Sequence, residues 1–81
     1  MRILDSVPEN LLHKLVLVED GGKFAICHQS HGRRPETVHC TLSEQAALDQ
    51  WKEKVFRMFL AVTHNPHDSQ ALAERRIATI H

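Results

Sequence analysis

Five side chains able to ligate a metal or act as nucleophile and base fall within fourteen positions: Cys27, His28, His31, His39 and Cys40. Zinc takes thiolate and imidazole ligands, usually four in a tetrahedron, and a bound zinc adds folding free energy to a small domain. The usual C-x-x-C knuckle is missing. If the flanking segments are strands, alternation divides the set. Cys27 and His39 then point to one face and His28 and Cys40 to the other. Only Cys27 and His39, with His31 from the loop, can then converge, and three ligands make an open site. The sequence therefore favours no metal and no cofactor, with a small zinc-stabilised domain as an alternative.

Cys27 and His39 could also be read as thiol and base. A reactive thiolate needs a nearby cation or helix N-terminus, and its histidine needs a third group to orient it. No Asn or Asp near these runs is placed for that. The chain lacks G-x-S-x-G, H-E-x-x-H, a phosphate loop and G-x-G-x-x-G. The expectation is a protein that is not an enzyme.

The elements that would carry these residues follow from period and punctuation. Ser6 can cap a short helix over residues 7–13, with Pro8 in its first turn, Glu9 complementing the dipole, and Leu11 and Leu12 on its apolar side. Leu15 to Asp20 and Lys23 to His28 read as strands joined by Gly21-Gly22, a hairpin signal because a primed turn needs positive φ. Asp20 then faces Lys23, and Leu17 faces Ile26. After a polar loop from Gln29 to Glu36, Thr37 to Thr41 forms a third strand. One sheet face would carry Leu15, Leu17, Phe24, Ile26, Val38 and Cys40; the other would carry Val16, Val18, Ala25, Cys27 and His39.

Thr41 with Glu44 three residues on reads as a capping box opening a helix from Leu42 to Thr63. Ala47, Leu48, Trp51, Val55, Met58, Phe59 and Val62 share one arc of it, which should lie across the first sheet face. Glu53 and Arg57 make a favourable i,i+4 pair. Phe56 and Leu60 sit on a flank of their own, to be covered by the last helix or by a partner. His64-Asn65-Pro66 stops the helix. Asp68 or Ser69 can cap a final helix through Ile80. The expected fold class is α+β in one domain, 1–81. It is a three-stranded antiparallel β-meander packed by one long amphipathic helix, with a short N-terminal helix and a C-terminal helix.

The layout over residues 15–60, three strands and then a helix, resembles the sheet-reading arm domains of phage-type integrases, though no residue motif is shared. That resemblance implies duplex recognition, and the charge balance opposes it. Lys+Arg is 10 and Asp+Glu is 10, whereas phosphate neutralisation calls for a basic excess or face. Each half is balanced too, with five basic and five acidic side chains in residues 1–40 and five of each in 41–81. Hydrophobic residues at 42% and charged residues at 25% fit a soluble globular domain.

The N-terminal residues do not read as a signal peptide, and the longest apolar run, Met58 to Val62, is far short of a membrane span. Two cysteines without a secretory signal favour reduced thiols and a cytoplasmic location.

A core this small supplies only about 3–5 kcal/mol, so association is expected. The leading expectation is a non-enzymatic interaction module that regulates or inhibits a larger protein partner. Homodimerisation would be a second source of buried area. Compact proteins of this size encoded by phages and mobile elements often act in that way. The surfaces would be Phe56 and Leu60, Val16 and Val18 on the second sheet face, and Arg33 and Arg34 at the hairpin tip. The alternative is a nucleic-acid-binding module using the same basic tip.

Seven histidines, ordinarily titrating near pH 6.5, can add up to seven charges on acidification. Solubility is therefore expected to be lowest near the sequence pI of 7.1 and to rise toward pH 5. A solubility curve that stays flat from pH 5 to 8 contradicts this.

Overall fold

The computed structural model describes residues 2–9 and 12–80. The chain divides into two compact units, Met1–Ala47 and Leu48–His81. Unit 1 is an open four-stranded antiparallel sheet in the order β1-β2-β3-β4, formed by β1 (Arg2–Pro8), β2 (His13–Asp20), β3 (Lys23–Ser30) and β4 (Glu36–Thr41). It also takes in the first turn of α1 (Glu44–Thr63). Unit 2 holds the rest of α1 and α2 (Pro66–Ile80). The class is α+β, with four strands where the sequence suggests three.

The extra strand, β1, takes in the first two residues of the segment 7–13 read as a helix. Val7 and Pro8 end β1 and His13 begins β2, while Asn10 and Leu11 lie outside the described residues. A cap and a proline favour a helical start locally, but an isolated helix of seven residues is not stable. Pairing with β2 is the alternative that wins, from Arg2 opposite Glu19 to Pro8 opposite Lys14. It buries Val7 to 1% exposure. Pro8 is tolerated because β1 is an edge strand.

The central hairpin forms as its turn predicts. Gly21 and Gly22 have φ of 57° and 86°, and Asp20 faces Lys23 while Leu17 faces Ile26. Val7, Leu17, Phe24 and Ile26 are buried on one face. The other face is apolar as well: Val16, Val18 and Cys27 form a buried cluster with Ala25 packed against it.

The third expected strand is β4, but its faces are reversed. Ile26 faces His39 and Ala25 faces Cys40, because a bulge at Val38 separates that register from the pairing of Cys27 with Thr37. His39 thus shares the Leu17–Ile26 face, and Cys40 the opposite one. Val38 is the extra residue and is exposed. One inserted residue flips every side chain beyond it, and the long β3–β4 connection does not pin the register as Gly21-Gly22 does.

The helix α1 begins two residues later than expected. Ser43 is its cap, with Ser43 Oγ accepting from the Ala46 amide at 3.2 Å, and Thr41 Oγ1 instead accepts from the Ser43 amide. Ala47, Leu48, Trp51 and Val55 of the expected arc are buried, Met58 and Phe59 are half-buried, and Val62 is exposed. Arg57 donates to Glu53 at 2.8 Å as the i,i+4 spacing predicts.

In unit 2, α1 ends at Thr63 and His64 takes the left-handed conformation, φ 56°. The cap of α2 is Asn65, not Asp68 or Ser69. Its Oδ1 accepts from the His67 and Asp68 amides, and Pro66 occupies the first helical position. Ser69 is fully buried, and its hydroxyl is satisfied by Asn65 O and Thr63 Oγ1, both at 2.8 Å. Lys52 reaches Glu74 across the helical hairpin at 3.5 Å.

Val7→Ala should destabilise the chain by about 1–2 kcal/mol, between the cost of trimming one methyl from a core and that of Leu→Ala. Ile3→Ala, at a site 63% exposed, should change stability by under about 0.5 kcal/mol. Urea denaturation of both variants checks this; equal effects would contradict β1 as a strand with one buried face.

Candidate site at one end of the sheet

The two ends of the sheet differ in chemistry. One end holds the tight Gly21-Gly22 turn. The other holds two longer connections, β1–β2 and β3–β4, and there the histidines and arginines gather. His13 at the start of β2 and His28 near the end of β3 are diagonal neighbours on one face. Their rings stack with centroids 4.9 Å apart and planes 25° apart. His28 Nε2 lies 2.9 Å from Glu9 Oε2 in the β1–β2 connection. A hydrogen bond from the Glu9 amide to His13 O ties the first connection to β2, and one from the His31 amide to Leu12 O ties the two connections to each other.

Gly32, with φ 74°, turns the β3–β4 connection and leaves His31, Arg33 and Arg34 exposed. An open depression of about 540 Å³ is lined by His13, His28, His31, Arg33, Arg34 and Glu36, with Leu12 and Ser30. A second depression of about 360 Å³ shares Leu12, His13, Ser30 and His31 with it and adds Lys14. Arg33, Arg34 and Glu36 line the larger depression and Lys14 the smaller, His13 and His31 line both, and Glu9 is paired with His28. The chain is neutral overall, but at this end permanent cations outnumber carboxylates by three to two. Arginine forks match carboxylate and phosphate oxygens in a bidentate geometry, so the site suits an anionic ligand.

The remaining expected surface residues lie elsewhere. Val16 and Val18, at 5% and 7% exposure, are buried in a cluster with Cys27 and present almost no surface. Phe56 is half-buried and lines a shallow groove of about 250 Å³ in unit 2 with Lys52, Glu53 and Asp49 of α1 and Gln70 and Ala73 of α2. Leu60 is half-buried one turn further on. The five metal-capable side chains are distributed differently from the simple alternation: Cys27 and Cys40 share one face, His28 and His39 the other. Cys27 Sγ lies 3.9 Å from Thr37 Oγ1, and His39 Nε2 is buried with no hydrogen-bond partner among the described residues. Among the described residues, no three His, Cys, Asp or Glu side chains come together as a metal-ligating group. Among them, too, no helix is long and apolar enough to cross a membrane.

Sequence reasoning singles out Arg33, Arg34 and His31 but misses His13, Lys14 and Glu9. Their contribution depends on Val7 and Pro8 ending β1 and His13 opening β2, where the sequence suggests a helix. The chain matches no protein-family model, no curated protein and no solved structure.

Because Arg33 and Arg34 are exposed on a turn, Arg33→Ala/Arg34→Ala should leave stability within about 0.5 kcal/mol of the parent in urea denaturation. A larger loss would mean that the arginines hold the turn and are not free to engage a ligand.

Proposed function

We propose that this protein is a non-enzymatic interaction module that binds an acidic segment of a larger protein through the Arg33–Arg34 end of its sheet, and regulates that partner by occupying its surface. The observation that carries the reading is the convergence of Arg33, Arg34 and three imidazoles around one open depression on a chain of zero net charge. Glu36 on that rim, and Glu9 paired with His28, favour a polypeptide over a nucleic acid. An acidic polypeptide can set a carboxylate against the arginines and an uncharged residue beside Glu36, whereas a continuous phosphate backbone offers no uncharged position and meets the carboxylates repulsively. The open shape suits recognition more than catalysis, which needs a water-excluding pocket around its reacting groups.

Titration with a synthetic peptide of about ten residues, alternating Glu and Val, tests the reading. Binding should weaken as salt rises. The Arg33→Glu/Arg34→Glu variant should lose about ten-fold or more in affinity, since paired charges become repulsive ones. Unchanged affinity in that variant overturns the proposal. So does tighter binding to a random DNA duplex with a steep salt dependence, which would make the basic turn a phosphate-binding element.

A further inference from the structure

The same end of the sheet is where an unpaired edge begins. β4 is the last strand of an open sheet, and Glu36, Thr37, Val38 and Cys40 are all exposed. An edge strand offers alternate N–H and C=O groups to an incoming chain. The opposite edge is blunted. On β1 the Ser6 amide donates to Asp5 Oδ1 at 2.8 Å and Pro8 has no N–H, so neither is a donor for an added strand. β4 contains no proline. Its first residue, Glu36, lies opposite His28 and lines the depression with Arg33 and Arg34. An extended segment laid along β4 therefore runs directly into the cationic end.

We infer that the acidic segment binds as an added β-strand on β4, with a carboxylate anchored at Arg33 and Arg34 beside His28 and His31. This rests on the acidic-partner reading and adds the mode of binding. In strand addition, main-chain hydrogen bonds supply affinity and side-chain sites at alternate positions supply specificity. The bulge at Val38 divides the edge into two short stretches. Neither is long enough to hold a strand by its ladder alone, so the charged anchor must contribute, and a neutral segment should bind poorly.

Backbone amides on the peptide separate strand addition from charge attraction alone. The probe is the alternating Glu-Val peptide with every Val amide, or every Glu amide, N-methylated. The full chain is used, and amide hydrogen exchange is followed by NMR. Strand addition predicts that one of the two methylated peptides loses binding about ten-fold or more while the other keeps it. Exchange at residues 37–40 should slow when the unmethylated peptide binds.

If binding depends on Arg33 and Arg34 but both methylated peptides bind equally and β4 exchange is unchanged, strand addition is overturned and the acidic-partner reading stands. Protection appearing on β1 overturns it as well. So does concentration-dependent protection of β4 without peptide, which would place a second copy of the chain on that edge. No binding of any peptide overturns both readings.

Discussion

The register of the β2–β3 hairpin is the constraint on which unit 1 depends. Two consecutive glycines with positive φ close the turn, and Asp20 is thereby held opposite Lys23. That register carries Leu17 to Ile26, both with no exposed surface, and on the reverse side carries Val16 to Cys27. Both faces of the hairpin bury apolar side chains. A slip by one residue would exchange the two sets, and each was chosen for a different packing environment. β1 and β4 then add to an already determined pair of strands, one on each side. Each absorbs a mismatch in a single bulge, at Leu4 and at Val38.

This tight turn also explains why the chemistry collects at the other end. A two-residue turn of glycines carries no side chains, whereas the longer connections can display theirs. Loops positioned by a rigid scaffold are where binding groups concentrate, and here the scaffold brings two of them side by side. Glu9 from one connection reaches His28, and Arg33 and Arg34 from the other flank the same depression. The overall balance of 10 basic and 10 acidic side chains conceals this local asymmetry, because charge acts over roughly a Debye length of about 8–10 Å and not over the whole molecule.

Unit 2 buries Trp51, Val55 and Ala73 and closes its helix turn with a small polar knot. Thr63, Asn65 and Ser69 satisfy one another at the helix turn, so the fully buried Ser69 hydroxyl carries no desolvation penalty unpaid by hydrogen bonds. Asn65 caps α2 with its side chain while its carbonyl receives Ser69. The half-buried Phe56 faces the groove beside Ala73, so α2 covers part of the flank that α1 leaves apolar.

The sequence by itself determines the elements whose signals are local. The Gly21-Gly22 hairpin and its register, the buried arc of α1 through Val55, the Glu53–Arg57 pair and the stop at His64-Asn65-Pro66 are all legible, because each is decided within one turn or one helical repeat. The cationic tip at Arg33 and Arg34 is legible for the same reason. Tertiary structure alone decides three things. Val7 and Pro8 end a strand, because pairing with β2 outweighs a capping signal for a helix over 7–13 that is too short to sustain itself. His39 and Cys40 exchange faces, because a bulge at Val38 is a property of two strands together and leaves no mark in either. The histidine-lined depression exists because His13 and His28, fifteen positions apart, become diagonal neighbours only once the ladder has formed. Local propensity is written residue by residue, whereas register across a long loop is chosen by the total energy of the paired sheet.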